Sequence, residues 1–313
     1  MEPSVFPTSR TLTLLFCLLL SRFAFAQNPH GILVREAIVR INPDESSAEL
    51  GTSSRGSEVA VLESSHNWIK VLAPTGPERV TTGWIMDKGV VRTTTPNGDK
   101  ILFGEAADAE DQASRRNGRQ GAARDAMRLY FRVFDFFPKS PLAGEALYRS
   151  ADIRWQVDYN DVMTLPSARQ MDPDARPRID EDYMHEVMKK FPHTKWADLA
   201  TYHLIDNQLC GDWQGQSKCP ERESEIYEKY AKEHPQSPKA PEALYNAASR
   251  QAALIEIYKT ENEPARSDQA RSRATALANQ VSSQYPDSDW AARALGLAYF
   301  VQQNIPLYGN AKQ

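Results

Sequence analysis

The sequence predicts a multidomain chain, a small all-β barrel followed by an all-α helical solenoid. Three observations predict it. Residues 31–91 carry apolar residues at period two or in short runs, broken by Gly, Pro, Asn and Ser, as strands joined by turns do. From residue 137 a Pro-centred motif recurs four times in register with alanines at helical spacing, the mark of stacked helical units. A length of 313 residues with 41% hydrophobic residues is enough for two packed domains.

Residues 1–26 precede both and read as a secretory signal peptide. Arg10 supplies a positive charge, residues 12–20 are largely apolar, and Ala24-Phe25-Ala26 has the small-x-small form of a cleavage site. Glu2 is atypical for such a leader. An uncleaved anchor competes with this reading, but the apolar run is far short of the roughly 18 to 20 residues a span needs. Acylation at Cys17 is disfavoured, because Phe16 stands where a small residue is expected and Leu18, Leu19 and Leu20 extend the apolar stretch. The expectation is export to a periplasmic or secreted location after cleavage near Ala26. No second stretch approaches membrane length, so no transmembrane span is expected in the mature chain.

In residues 27–92, strands are expected at Ile32-Leu33-Val34, Ala37-Ile38-Val39-Arg40-Ile41, Val59-Ala60-Val61-Leu62, Trp68-Ile69-Lys70-Val71-Leu72 and Trp84-Ile85-Met86. Asn42-Pro43-Asp44 ends the second, His66-Asn67 fits a hairpin turn, and Thr75-Gly76-Pro77 begins a longer connection. About five short strands in about 60 residues indicate a small barrel. Residues 46–55 read as a long polar connection, irregular for so small a barrel. Trp68 and Trp84 are candidates for a sugar- or peptide-stacking surface. Packing in the barrel core or at its edge is favoured over that, since Trp is usually largely buried.

These segments resemble the bacterial SH3-like domain of cell-envelope proteins. The likeness runs through Ala37-Ile38-Val39-Arg40-Ile41-Asn42-Pro43, Gly56-Ser57-Glu58-Val59-Ala60-Val61-Leu62, Trp68-Ile69-Lys70-Val71 and Gly83-Trp84-Ile85, and covers nearly all of the segment. The resemblance implies an SH3-like barrel with a cell-wall- or protein-binding role, often as an accessory module. It names no ligand.

Residues 93–100, with Thr93-Thr94-Thr95-Pro96-Asn97-Gly98, read as a linker. Residues 101–116 read as an Ala- and Glu-rich helix capping the helical domain, residues 101–313. In that domain Phe137-Pro138-Lys139-Ser140, Phe191-Pro192-His193-Thr194, His234-Pro235-Gln236-Ser237 and Tyr285-Pro286-Asp287-Ser288 share one form. Alanines follow each in register: Ala143 and Ala146, Ala197 and Ala200, Ala240 and Ala243, Ala291 and Ala294. Pro stops the preceding helix, the Ser or Thr is a preferred N-cap, and Pro141 and Pro238 are expected at the first helical position. The small residues let neighbouring helices approach closely. The unit resembles tetratricopeptide-like repeats of exported envelope scaffolds and outer-membrane assembly proteins, over roughly residues 121–300. The repeat prolines are more widely spaced than the usual period of about 34. The excess is expected in loops at 158–180, 210–220 and 260–267, projecting as a partner-specific surface.

Cys210 and Cys219 are the cysteines beyond the leader. In an oxidising compartment they are expected to form a disulfide. A zinc half-site is the alternative, but no nearby pair of His completes the spacing. The net charge of -4 with 25% charged residues leaves no basic footprint for nucleic acid. A Cys–His nucleophile has no spare cysteine, His185, His193 and His203 form no HExxH arrangement, and the pair Glu181-Asp182 is commonplace on a solvated helix. No phosphate-cradling Gly-rich loop is present. No cofactor and no metal are expected.

The expected function is therefore a non-catalytic scaffold or adaptor. It would hold envelope proteins or peptides on the repeats and cell-wall peptide (peptidoglycan) or protein on the SH3-like unit. The alternative is a cell-wall hydrolase or its accessory subunit; a lytic transglycosylase built on helices around one Glu stays open. Tyr130, Trp155, Tyr202, Trp213 and Tyr245 are candidate groove contacts, though core packing is the favoured role for most of them.

Overall fold

The structure, a computed structural model, describes residues 29–308; the signal peptide expected at 1–26 lies outside them. Seven strands come first: β1 (His30–Leu33), β2 (Ala37–Arg40), β3 (Glu49–Ser53), β4 (Glu58–Ser65), β5 (Trp68–Pro74), β6 (Val80–Met86) and β7 (Val90–Val91). They pair antiparallel in one sheet of order β3-β2-β6-β5-β4-β1-β7. Alternation decides which side is core. Ile69, Val71 and Ala73 of β5 are buried, and they join Val39, Val59, Val61 and Ile85 in the apolar core of the sheet. The expected hairpin joins β4 to β5, with Ser65 opposite Trp68 and His66 at φ 52°.

Two strands were not expected. β3 lies within the stretch read as an irregular polar connection, because pairing with β2 (Ile38 opposite Thr52) fully buries Ser53 and packs Leu50 against the core. β7, only two residues long, is held by β1 through Val91 opposite Ile32.

β2 and β6 cross tightly at Gly83, where a Cβ would lie 2.6 Å from Val39 Cγ1 and 2.7 Å from the Arg40 carbonyl oxygen. Gly83→Ala should therefore lower stability by about 1 to 3 kcal/mol. A thermal melt read by near-UV circular dichroism checks this.

The remainder is helical: α1 (Gly98–Ser114), α2 (Ala122–Phe136), α3 (Ala143–Met163), α4 (Asp182–Lys190), α5 (Lys195–His203), α6 (Lys218–Glu233), α7 (Ala240–Thr260), α8 (Pro264–Gln284) and α9 (Asp289–Gln302). Among the described residues no helix is long and apolar enough to cross a membrane. Helices α2, α4, α6 and α8 each end two residues before a repeat proline. The ring residue between donates its N–H four positions back: Phe137 to Val133, Phe191 to Val187, His234 to Tyr230 and Tyr285 to Val281, at 2.9 to 3.0 Å. All eight repeat alanines are buried, so each helix meets its neighbours where a larger side chain would not fit.

The capping differs from expectation. Thr194 Oγ1 accepts from the Ala197 N–H at 3.4 Å, as an N-cap should. Ser140 and Ser237 instead accept from Leu142 and Lys239 two residues on. The Ala143 and Ala240 N–H groups donate to the carbonyls of those serines at 3.1 and 3.0 Å. This tight turn delays the helix, so Pro141 and Pro238 precede α3 and α7 rather than opening them. Ser288 Oγ is buried without a hydrogen-bond partner among the described residues.

The expected loops are also shorter. α3 continues to Met163, with Arg154 and Asp158 paired at i,i+4, and two single-turn 3₁₀ segments follow at Pro166–Arg169 and Pro173–Ala175. Pro264 opens α8.

The segment read as a linker at 93–100 is an ordered turn. Arg92 N–H donates to Thr95 Oγ1 at 2.8 Å, Gly98 N–H to the Thr95 carbonyl at 3.0 Å, and α1 begins at Gly98. Beyond it, Ile32 and Val91 of the sheet share one buried cluster with Leu102 of α1 and Leu129, Tyr130 and Val133 of α2. Arg55–Glu105 and Arg132–Glu58 ion pairs cross the same junction. The sheet is packed onto the helices, not strung from them.

Candidate functional site

Cys210 and Cys219 are disulfide-bonded, which disposes of the zinc alternative. The closed loop does not project. Gly211 and Asp212 N–H groups donate to the Gln170 and Arg169 carbonyls at 3.0 and 3.1 Å, and Arg176 reaches the Leu209 carbonyl. Two insertions expected to extend from the surface thus pack on each other. Gly211 fits there because it lacks a side chain: a Cβ would lie 2.6 Å from three backbone atoms of Ala168, Arg169 and Gln170.

The candidate aromatics divide. Tyr130 is fully buried, edge-on to Phe103 with ring centroids 5.2 Å apart, and its hydroxyl donates to Glu110 at 2.7 Å; it belongs to the core and is no groove contact. Trp155, 3% exposed, is likewise internal and donates its Nε1–H to Asp206 at 2.9 Å. Trp213 is half-buried in the stapled loop, where its Nε1–H donates to Glu223 at 3.1 Å. Tyr202 and Tyr245 are half-buried on the helices.

Burial pushes the Asp206 carboxyl up, against the Trp155 hydrogen bond and the nearby charges of His203 and Arg176. With the folded value above the unfolded one, this group's contribution is present below the unfolded value and lost as pH rises through the folded one. Asp206→Asn keeps an acceptor for Trp155 and removes the charge. Its melting temperature should exceed that of the wild type at neutral pH, and the gain should vanish at about pH 3. A gain independent of pH would overturn the assignment.

Tyr202 and Tyr245 belong to a ladder that the sequence reading missed. Ten positions after the first three repeat prolines stand Tyr148, Tyr202 and Tyr245; four positions after the last three stand Trp196, Lys239 and Trp290. The structure pairs each tyrosine with the next repeat's partner. Tyr148 stacks on Trp196 (5.6 Å, 26°), Lys239 Nζ lies 5.2 Å from the Tyr202 ring, and Tyr245 meets Trp290 at 5.0 Å. Lys195 and Arg293 cover the two tryptophans at 4.3 and 4.6 Å. All three tyrosines and both tryptophans are half-buried. Burial pushes the Tyr202 hydroxyl up, and that of neighbouring Tyr227 up to about 12, so both are neutral at physiological pH. The repeat register was the signal that could have found Tyr148, Trp196 and Trp290.

A second surface lies on the sheet. Trp68 is opposite Met86 and Lys70 is opposite Trp84, and opposed residues share a face. Both tryptophans therefore lie on the side away from Ile69 and Val71. Neither belongs to the cluster around Ile69 and Val71, yet Trp84 is buried, as the core-or-edge reading from sequence expects. Trp84 is 9% exposed between Arg40 and Lys70 on the adjoining strands, and Trp68 is half-buried. Leu72 and Met86 on the same face are 43% and 41% exposed.

The three histidines have separate neighbours. His203 pairs with Asp152 at 2.9 Å and His185 lies 3.4 Å from Glu181, while His193 sits at positive φ in the turn before α5. Among the described residues no group of three or more His, Cys, Asp or Glu could hold a metal ion.

No family model matches the sequence, and no curated protein matches it. Among solved structures, a chain described as "DHF79 filament" is similar at 16% identity, over 64% of this chain and 96% of that one, with a TM-score of 0.20. A superposition that poor carries nothing further.

Proposed function

We propose that the chain is a non-catalytic extracytoplasmic scaffold, a bacterial SH3-like module fixed to tetratricopeptide-like repeats. The repeats hold an envelope protein or peptide, and the outer face of the sheet holds cell-wall peptide or a second protein. The carrying observation is the ladder of half-buried rings at successive repeat junctions, flanked by Lys195, Lys239 and Arg293. Half-buried rings beside cations suit a segment with apolar side chains and acidic neighbours. The apolar residues beside Trp68 and Trp84 support the second binding face. A disulfide closing a surface loop is consistent with an oxidising compartment.

Affinity capture from envelope extract with the wild type and with a Trp196→Ala/Trp290→Ala variant tests this. A specific partner retained by the first and lost by the second is expected. Identical recoveries from a folded variant would remove the ladder from the interface. Against a hydrolase or lytic transglycosylase, the purified mature chain should release no muropeptide from isolated cell walls; release would replace the scaffold with an enzyme.

A further inference from the structure

Where the β1–β2 and β3–β4 connections meet α1 and the start of α2, a cleft of about 730 Å³ opens between sheet and helices. Five arginines line it, Arg35, Arg55, Arg119, Arg124 and Arg128, in a chain of net charge -4. Most are held in place by shared carboxylates. Asp125, nearly buried, accepts from Arg119 and, at 2.5 Å, from Arg128, while Glu105 accepts from Arg35 and Arg55. One carboxylate between two guanidiniums leaves each pair with a positive excess. Arg124 is exposed and makes no ion pair among the described residues.

Two further features point to an anion. Arg55 is nine-tenths buried, and its Nε finds no hydrogen-bond partner among the described residues. The N-terminus of α2 opens on the same cleft: Gly121, at φ 81°, lines it, and no side chain caps the helix. First-turn N–H groups and the positive end of a 15-residue helix favour an oxyanion there, and guanidinium forks match its geometry.

We propose that this cleft binds a phosphate group, held by Arg119, Arg124 and Arg128 over the start of α2. Glu36 and Asp108 also line the cleft. They would repel an extended polyanion and restrict the site to a small phosphate, either free or as a lipid headgroup.

Isothermal titration of the full mature chain with inorganic phosphate, and sedimentation with phosphatidylglycerol vesicles, test the proposal at low and at high salt. Arg124→Glu alters no ion pair seen in the structure, so it should fold as the wild type does. It should weaken binding at least tenfold. Arg124→Gln should weaken it less, and Arg222→Glu, the same charge change at an exposed position of α6, should leave it intact. Phosphate binding without vesicle binding, each pattern sensitive to Arg124, identifies a free ligand. Vesicle binding lost in Arg124→Glu identifies the headgroup. No binding of either probe, or equal losses in Arg124→Glu and Arg222→Glu, would overturn the site.

Discussion

Glu223→Ala should cost about 3 to 5 kcal/mol, the expected loss when one partner of a buried ion pair is removed, and lower the melting temperature by roughly 10 °C. The carboxylate is 2% exposed. It accepts from the Cys210 N–H at 3.0 Å, Trp213 Nε1–H at 3.1 Å and Arg250 Nε–H at 3.2 Å. Alanine would strand all three donors, one of them a cation, in a region with no room for the backbone to retreat at Gly211. Reduction of the Cys210–Cys219 bridge, which spans a sequence separation of 9, should cost about 2 to 3 kcal/mol in the chain-entropy model. Because Glu223 and the bridge order the same loop, the two losses should sum to less than their separate values. Melts of both forms with and without reductant measure this. A loss below about 1 kcal/mol for Glu223→Ala would mean that water replaces the carboxylate.

Tyr130→Ala should cost about 3 to 5 kcal/mol, as large aromatic truncations in a core do. The consequence extends beyond α2. Tyr130 lies in the cluster that joins Ile32 and Val91 of the sheet to Leu102 and Leu129 of the helices. Hydrogen-exchange protection of the β5 amides and helical ellipticity should therefore move together in one transition. Tyr130→Phe, which loses the hydroxyl's bond to Glu110 and the one it accepts from Arg149 at 3.3 Å, should cost about 1 to 2 kcal/mol. If ellipticity falls while the sheet signals stay in place, the two parts unfold separately and the shared core does not couple them.

The β-then-α order and the four helix-ending prolines were legible because each rests on a local rule. Period two marks β5, and a missing N–H marks Pro138, Pro192, Pro235 and Pro286. β3 was not legible, since Glu49-Leu50-Gly51-Thr52-Ser53 has little strand propensity and forms through pairing with β2. The face taken by Trp68 and Trp84 was legible from alternation with Ile69, Val71 and Ile85 in their own strands; the general tendency of Trp to be buried obscured it. The disulfide was legible from two cysteines and a presumed compartment. The aromatic ladder was present in the repeat register, but alanine spacing drew attention to the helix contacts and away from Tyr148, Trp196 and Trp290. The arginine cleft joins residues 35, 55 and 119–128, and sequence distance hid it.

The ordered turn at 92–98 has a consequence for avidity. A flexible tether gives two attached binding modules an effective concentration set by its length, so that many partner geometries gain something. Here the sheet face and the repeat ladder are held at one separation and one angle by common packing. If both faces bind as proposed, a pair of epitopes matching that spacing would gain the full benefit of simultaneous engagement, and a pair that does not match would gain none. On the proposed scaffold reading, the molecule would act as a gauge, selecting partners by the distance between their attachment points as well as by their chemistry.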